Sequence, residues 1–293
     1  MPAPKIAKAI HLTFPRKFDL PLAIAENIAA IRLANPDYSV NIYDDQDVHA
    51  FIANEFDSVI LQYFERINPI YGAARADFFR YLCIYKLGGI YIDIKAHAQR
   101  PFSTVLRDDD QFLLGQWDPD VEGGRFSTWG LGVPELPGGE FQQWHVIAAA
   151  GHPFLKAIIL KILSNIDNYQ PFRDGVGEFG VIRTTGPIAY TKAILPLLDI
   201  HPHRRIWVET DLGLHYSIYG QQIGAIESPQ AQQAPHRQHF PNHYTRQTAP
   251  LISTGWLIDG SFIAWQSGLA AARAFWRWSR LFVRARVMKK IDL

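Results

Sequence analysis

Cysteine, net charge and long apolar runs are what this sequence has least of. Cys83 is the one cysteine among 293 residues, so no intramolecular disulfide can form and a reducing cytoplasm is the simplest compartment. The formal net charge of +1 gives no global argument for a nucleic-acid partner. No uninterrupted apolar run is long enough to cross a bilayer, and residues 1–12 lack the pattern of a signal peptide. We therefore expect a cytoplasmic protein that binds no nucleic acid.

What the sequence does contain is enough apolar material for a large core. Hydrophobic residues make up 48% of the chain and charged residues 19%, which excludes general disorder. A length of 293 residues suits one large α/β domain or two small ones. Since no internal repeat or clean linker divides the chain, we expect one domain over residues 1–267 and a separate helix over 268–293.

Strand and helix patterns alternate through the N-terminal half. Apolar patterns predict strands at Ala9–Phe14 and Tyr38–Tyr43. Helical spacing of apolar residues predicts four helices, at Leu20–Ala34, Val48–Phe56, Ser58–Ile67 and Gly72–Leu87. Strand alternating with helix is typical of an α/β fold, with a mostly parallel sheet covered by helices on both faces.

The second half is less regular. A strand is predicted at Gln111–Gln116, followed by a loop rich in Gly and Pro at 118–139. The remaining predictions are helices at Phe141–Ala150, Pro153–Ile166 and Ile188–Leu198, and a loop at 228–241. This half is thus expected to add one strand and three helices to the fold.

The most informative segment runs from Gly88 to Lys95. The strongest predicted helix ends there at two glycines, and Gly88 is well placed as its C-terminal cap. A short β-branched strand follows, with Asp93 at its C-terminal end and Lys95 two residues later. Ligands of open α/β sheets bind beyond the carboxyl ends of strands. Asp93 and Lys95 therefore predict a site for a phosphate-bearing ligand and its metal.

Asp77 and Arg80 lie three residues apart on the preceding helix and share a face. One interpretation is a buried ion pair that satisfies itself. In the other, Asp77 accepts hydrogen bonds from sugar hydroxyls, while Arg80 holds Asp77 and contacts hydroxyls or phosphate. Asp93 could likewise be an ordinary turn-capping acid, and Lys95 a solvated surface lysine. The combination of helix, double glycine and strand-end acid favours the functional interpretations.

These motifs resemble those of a known family. Ala76-Asp77-Phe78-Phe79-Arg80-Tyr81, followed by Gly88-Gly89-Ile90-Tyr91-Ile92-Asp93, is similar to the core signature of glycosyltransferase family 32. Members of that family carry a sugar-binding region with a DXD motif and are related to the glucosylating domains of bacterial toxins. Weaker resemblances lie at residues 9–15, 151–154 and 185–187. The resemblance implies a GT-A-like fold, a nucleotide-sugar donor, and transfer with retention at the anomeric carbon.

The chain departs from this family at residue 95. The DXD motif would place a second Asp there as a ligand of Mn²⁺ or Mg²⁺, and this chain has Lys95. Three outcomes stay open: Asp93 and a later histidine hold the metal, Lys95 supplies positive charge beside the diphosphate instead, or activity is lost. Our candidate for the later metal ligand is His243, with His236 and His239 as competitors.

The chemistry of sugar transfer explains why such groups are needed. Breaking a sugar–phosphate bond builds negative charge on the nucleoside diphosphate, so a cation must already lie at the leaving oxygen. The sugar passes through an oxocarbenium-like state that needs little nucleophilic help from the protein, so we assign no residue as a covalent nucleophile. Asp93 and Lys95 are therefore the candidate catalytic residues. The candidate substrate-binding residues are Asp77, Arg80, His11, Thr13, Tyr91, Thr185 and Gly186.

Several of these candidates have ordinary interpretations that are equally good. His11 and Thr13 end the first strand, where a base or ribose would lie, but they could simply be polar residues that close a strand. Thr185 and Gly186 are assigned to the acceptor side. The tryptophans at 117, 129 and 144 are interpreted as packing residues rather than sugar platforms.

The pattern of residues from Gly268 to Leu293 predicts a basic amphipathic helix. Its arginines form a stripe at Arg273, Arg277, Arg280 and Arg284, opposite the aromatic residues Phe275, Trp278 and Phe282. That pattern suits an interfacial helix on an anionic membrane. A terminal helix packed on the domain through its aromatic face is an equally good interpretation.

The sequence as a whole favours a retaining glycosyltransferase. Its partners would be a nucleotide-sugar donor and a glycan or glycolipid acceptor, in polysaccharide or glycolipid synthesis, with the enzyme on the inner face of a membrane. A non-catalytic protein that binds nucleotide sugars or glycans is the alternative, because the second Asp is missing. A phosphate-ester hydrolase that uses Asp93 and a metal is a third class, for which the sequence offers no convincing base.

Overall fold

The computed structural model describes residues 5–117, 132–206, 209–220, 243–253, 255 and 258–269. Its strands are β1 (Ala9–Thr13), β2 (Ser39–Tyr43), β3 (Gly89–Ile92), β4 (His97–Ala98), β5 (Phe112–Gly115), β6 (His145–Ala148), β7 (Arg204–Ile206) and β8 (Leu214–His215). Its helices are α1 (Leu22–Ala34), α2 (Asp45–Glu55), α3 (Ser58–Arg66), α4 (Gly72–Leu87), α5 (Pro153–Asp167), α6 (Pro171–Asp174), α7 (Gly177–Thr184) and α8 (Pro187–Ile194). Residues 258–269 are also helical.

The strands form a six-stranded mixed sheet and a small ribbon. The order in the sheet is β2-β1-β3-β6-β5-β7, and β4 pairs with β8 in the ribbon. Parallel pairing joins β1 to β2, β1 to β3 and β5 to β7, whereas β6 runs antiparallel to both of its neighbours. Five of the six strands therefore run in one direction, and the expected α/β class with a mostly parallel sheet is confirmed.

Helices cover both faces of the sheet. On one face, α4, α5 and α8 pack against side chains such as Tyr91, Val146 and Leu114. On the other face, α1 and the β4–β8 ribbon enclose a second core that contains Ile10, Ile90 and others. This arrangement leaves the carboxyl ends of β1, β3, β5 and β7 at one edge of the sheet.

The junction of α4 and β3 fixes the start of the central strand. Gly88 has a φ of +65° and ends α4 as predicted, with its N–H donating to the carbonyl of Ile84 at 2.9 Å. Gly89 has a φ of +99°, and a Cβ there would lie 2.6 Å from the carbonyl oxygen of Ala9. Only glycine fits this close approach of two strands. The position of Asp93, one residue beyond β3, follows from that packing.

One predicted element is wrong. Residues 141–150 do not form a helix: His145–Ala148 is strand β6, paired with both β3 and β5, and all four residues are buried. A short apolar run buried on both faces has no diagnostic periodicity, so pairing with neighbouring strands decides its conformation. The other predicted strands and helices within the described residues are present, with ends shifted by a few residues. The helix predicted at Ile188–Leu198 is α8 followed by a 3₁₀ turn at Leu195–Leu197.

Several sequence predictions fall outside the described residues. They are most of the loop at 118–139, the loop at 228–241 and all but the first two residues of the segment 268–293. Within the part of the chain that the structure describes, no helix is both long and apolar enough to cross a membrane.

Candidate active site

Arg80 joins two carboxylates at the carboxyl end of β3. Its Nη2 lies 3.0 Å from Oδ1 of Asp77 on the same helix and 3.1 Å from Oδ1 of Asp93. The guanidinium is buried, and burial opposes its charge, but Asp93 and then Asp77 outweigh that effect and raise the pKa of Arg80 above its ordinary value. The structure therefore brings together three of the predicted site residues around one permanent positive charge.

Two further contacts fix the Arg80 guanidinium. Nη1 donates to the main-chain carbonyl of Gln143 at 2.6 Å, and the guanidinium carbon lies 4.7 Å from the centre of the Tyr91 ring. The Tyr91 hydroxyl is in turn 2.8 Å from Oγ1 of Thr13 on β1. Tyr91 and Thr13, both predicted to bind substrate, thus support Arg80 from the sheet side.

Asp77 is enclosed by protein. Its side chain is 4% exposed, Oδ2 accepts a hydrogen bond from Oγ1 of Thr185 at 2.9 Å, and Oδ1 accepts from Nε2 of Gln143 at 3.2 Å. Burial raises the pKa of Asp77, and Arg80 acts against that shift. Because three internal donors already engage this carboxylate, the geometry favours a role in holding Arg80 over direct contact with a ligand.

Asp93 has more open surroundings. Its side chain is 27% exposed. Its main chain is fixed, because its N–H donates to the carbonyl of Trp144 and its own carbonyl accepts from the N–H of Ala96, both at 2.8 Å. Asp93 therefore combines a rigid backbone with a carboxylate that a ligand can reach.

Lys95 is buried against an aromatic cluster rather than solvated. The residue is 8% exposed, its Nζ lies 2.8 Å from the hydroxyl oxygen of Tyr216, and the same nitrogen is 4.0 Å from the centre of the Tyr216 ring. Trp117 and Trp144 pack edge-on against Tyr216. The surface-lysine interpretation is wrong, and these two tryptophans are packing residues as expected. Trp129 lies outside the described residues.

His11 lies away from solvent in the middle of β1. Its Nδ1 is 3.1 Å from the Tyr43 hydroxyl, the two rings stack, and burial lowers the pKa of His11 to about 4. The residue is 1% exposed, so this side chain is a neutral part of the core in the present conformation. Its assignment to the nucleotide stays a prediction.

Thr185 and Gly186 lie at the start of α8, next to Asp77. Gly186 is the N-cap residue of α8, and a Cβ there would lie 2.7 Å from Cα of Ile182. Thr185 is fully buried on Asp77, so its contact with an acceptor also stays a prediction.

His243 caps a short turn at Tyr244–Arg246. Its Nδ1 lies 2.9 Å from Oγ1 of Thr245 and accepts from the main-chain N–H of that residue. Burial, followed by the charges of several groups including Asp77 and Asp93, raises the pKa of Tyr244 in this turn well above its ordinary value. His236 and His239 lie outside the described residues.

The described residues do not complete a divalent-metal site. Among them, no group of three or more His, Cys, Asp or Glu side chains could hold a metal ion. Asp93 is already paired with Arg80, and Lys95 offers a cationic donor where a metal needs an oxygen ligand. Coordination of Mn²⁺ or Mg²⁺ by Asp93 and His243 stays a prediction.

Two residues that the sequence did not single out belong to the site. Gln143 contacts both Asp77 and Arg80, and Tyr216 holds Lys95. They lie more than 60 residues from these partners, in segments without a local motif. No signal in the sequence alone could have found them.

Comparison with known proteins agrees with the resemblance seen in the sequence. Residues 22–113 match the family model described as "Glycosyltransferase sugar-binding region containing DXD motif". In Schizosaccharomyces pombe, the chain is 27% identical over 184 residues to an "Initiation-specific alpha-1,6-mannosyltransferase", covering 57% of this chain and 43% of that protein. It is 26% identical over 177 residues to "Inositol phosphoceramide mannosyltransferase 3", covering 59% and 42%. The chain thus spans less than half the length of these curated relatives.

Solved structures include weakly similar folds. The "PaToxG Glycosyltransferase" has a TM-score of 0.47 and 18% sequence identity, covering 68% of this chain and 72% of that one. The UDP-bound glycosyltransferase domain from the YGT toxin has a TM-score of 0.46 and 8% identity, covering 76% and 83%.

Proposed function

Because residues 22–113 carry the sugar-binding region of the DXD glycosyltransferase family, we propose that this chain is a retaining glycosyltransferase that uses a nucleotide-sugar donor. The acceptor is a glycan or a lipid-linked glycan, in polysaccharide or glycolipid synthesis. The observation that carries the proposal is Asp93, fixed at the carboxyl end of β3 and joined through Arg80 to the buried Asp77. That edge is where open α/β sheets bind ligands. The mannosyltransferase relatives support mannose as the first sugar to test.

Each site residue has a distinct role in this proposal. The Asp93 carboxylate faces the donor sugar, where its negative charge stabilises the positive charge that develops in the oxocarbenium-like state. Lys95 places an ammonium beside the leaving diphosphate. Asp77 acts as a positioning residue, since it holds the Arg80 guanidinium in place through a contact of 3.0 Å. Arg80 in turn sets the orientation of Asp93.

The direct test is a turnover assay on the full chain. A panel of guanosine and uridine diphosphate sugars, mannose and glucose donors included, is incubated with and without glycan or glycolipid acceptors, and released nucleoside diphosphate and glycosylated product are measured. Transfer with the same anomeric configuration in donor and product is the expected result. Inverted product would overturn the retaining mechanism, and free phosphate as the product would point to a hydrolase instead.

A non-catalytic nucleotide-sugar or glycan-binding protein is the second candidate. The observation in its favour is Lys95, which replaces a metal-binding Asp and is buried against Tyr216. Saturable donor binding without any turnover, in the presence or absence of Mn²⁺, would select this candidate over the enzyme.

Lys95 gives the sharpest test of how diphosphate charge is stabilised. If Lys95 takes the place of the second Asp, Lys95→Ala should lower the rate about a hundredfold with little change in donor affinity, because leaving-group charge grows in the transition state. Lys95→Asp should make turnover depend on Mn²⁺. The assay is donor turnover across a Mn²⁺ titration, with Lys86→Ala on α4 as the matched control. Identical rates and metal profiles for all four proteins would exclude Lys95 from the site.

The membrane contact predicted for residues 268–293 is also part of the proposal. The described helical residues 258–269 lead into that segment, and Trp265 among them is half exposed while Phe262 packs on Phe172. We expect removal of residues 268–293 to abolish binding to anionic vesicles and to leave transfer to a soluble acceptor intact. Co-sedimentation and the turnover assay measure these two properties. Unfolding of the truncated chain would identify the segment as a structural helix and contradict a location on the inner face of a membrane.

A further inference from the structure

A cavity lined by arginines lies beside β7, at the far end of the sheet from β1 and β2. Its volume is about 540 Å³, and its walls come from the residues after β4, from β7 and from the 3₁₀ turn Glu209–Leu212. The charged lining residues are Arg100, Arg107, Arg204, Arg205 and Asp211. The Arg204 guanidinium is paired with the carboxylate of Asp110, and that of Arg205 lies against Gln116 and the Phe141 ring. Arg100 and Arg107 therefore supply the excess of positive charge over Asp211 in this cavity.

Two of these arginines, Arg204 and Arg100, are held in place. The Nε of Arg204 donates to Oδ1 of Asp110 at 2.7 Å, and its Nη2 donates to the carbonyl of Val105 at 3.0 Å. The Nη2 of Arg100 donates to the carbonyls of Thr210, at 3.0 Å, and of Asp211. These carbonyl oxygens are neutral and do not cancel the charge of Arg100. Fixed guanidinium groups lose little freedom when they bind an anion.

A glycine makes room for Arg100. Gly213 has a φ of +66°, and a Cβ at this position would lie 2.8 Å from Cβ of Arg100 and 3.0 Å from its Nε. The Arg100 side chain therefore lies across a position that only glycine fits. This packing distinguishes Arg100 from an arginine that extends freely into water.

We propose that this cavity is a phosphate-binding site, separate from the site at Asp93. Planar guanidinium groups bind phosphate oxygens in pairs. The volume leaves room for an organic group attached to the phosphate, as in a phosphomonoester. The phosphate belongs either to a soluble ligand or to a lipid.

The ribbon β4–β8 connects the cavity to the candidate active site. Lys95 precedes β4 and Arg100 follows it, while Tyr216 and Asp211 lie at the corresponding ends of the partner strand. Lys95 and the cavity therefore lie beyond opposite ends of β4, and Lys95→Gln tests whether the two positions bind phosphate independently.

Titration calorimetry with inorganic phosphate in a chloride buffer tests the proposal on the full chain. The double variant Arg100→Gln/Arg107→Gln should bind phosphate at least tenfold more weakly than the unmodified chain. Arg32→Gln, an exposed arginine on α1, is the matched control and should bind normally. Lys95→Gln should also bind normally, which separates this site from the donor site.

Two results would overturn the proposal. One is equal phosphate affinity in the double variant and the unmodified chain, and the other is loss of binding in Lys95→Gln alone. Thermal melting in chloride establishes that the double variant is folded, and Gly213→Ala, which displaces Arg100 without removing charge, should weaken phosphate binding in the same direction. Neutral vesicles with and without phosphatidic acid identify the source: retention that depends on Arg100 and Arg107 indicates a lipid phosphate, and binding of free phosphate alone indicates a soluble one.

Discussion

Polar side chains are buried in different ways at the two ends of the strands in the six-stranded sheet. At the carboxyl ends of β1, β3 and β5, Arg80 keeps its charge between Asp77 and Asp93. At the opposite end of the sheet, beyond β6, His152 is buried as a neutral ring. Its Nε2–H donates to the carbonyl of Pro202 at 3.1 Å, and its Nδ1 accepts from the N–H of Phe154 and caps α5.

The difference between the two ends of the sheet agrees with the active site that we propose at Asp93. Burying a charge is costly unless it is paired, and a neutral hydrogen-bonded ring avoids that cost. His152 meets a structural need, the capping of a helix, without any charge. The edge at Asp93 keeps three charged groups and leaves one of them open to solvent. A fold that needed only stability would not require that arrangement.

Loss of Asp77 should have the largest effect on stability. Asp77→Ala leaves the buried Arg80 without its most enclosed partner, so the free energy of unfolding should fall by about 3–5 kcal/mol. Urea unfolding followed by circular dichroism measures the change. Asp77→Asn, which keeps the hydrogen bond from Thr185, should cost less. A loss below about 1 kcal/mol for Asp77→Ala would mean that Asp93 alone compensates Arg80.

Loss of the Asp93 carboxylate should lower activity more than it lowers stability. Asp93→Asn should lower transfer about a hundredfold, since the developing charge on the sugar loses its carboxylate. Its effect on unfolding should be smaller than that of Asp77→Ala, because Asp77 remains paired with Arg80 and the Asp93 side chain is 27% exposed. The turnover assay and urea unfolding of the same preparation give both quantities. A variant that turns over at the unmodified rate would remove Asp93 from the catalytic residues.

His152 should make the stability of the fold decrease in acid. Burial, together with His201 and His203, lowers its pKa from 6.5 to about 4, with the Pro202 carbonyl acting against that shift. Below pH 6.5 the unfolded chain therefore takes up a proton that the folded chain does not, and stability falls. The loss should be about 2 kcal/mol between pH 6.5 and pH 5, at about 1.4 kcal/mol per pH unit.

His152→Asn is the matched variant for that acid effect. Asparagine caps a helix and does not titrate, so the variant should lose less stability between pH 6.5 and pH 5 than the unmodified chain. Urea unfolding at the two pH values gives the comparison. Equal losses would show that another group, such as the buried His145, dominates the acid response.

The sequence predicted the part of the site that depends on local geometry. The spacing of Asp77 and Arg80 predicted a shared helix face, and Gly88 predicted the end of α4. Helix periodicity and glycine conformation are local properties, so a few adjacent residues suffice to determine them. The contact of Arg80 with both carboxylates is consistent with the grouping of Asp77, Arg80 and Asp93 that the motifs suggested.

What the sequence could not predict depends on distant contacts. Tyr216 meets Lys95 across 121 residues, and nothing near residue 95 indicates such a partner. The segment at 145–148 was interpreted as helix because its apolar run fits either conformation. Its strand conformation results from pairing with β3 and β5, which only the folded chain supplies.

The position of β6 has a consequence for truncation and for folding during synthesis. The matched segment 22–113 contains β2, β3 and the first two residues of β5 but lacks β1 and β6, the strands that join them. A fragment cut to those bounds would expose unpaired main-chain groups along the edges of β3 and β5, and we expect it to aggregate. On the ribosome, the edges of β3 and β5 that face β6 stay open until residue 148 has emerged and the loop from β3 has closed. We therefore expect the smallest fragment that can fold to extend beyond β6, past the residues that the family model matches.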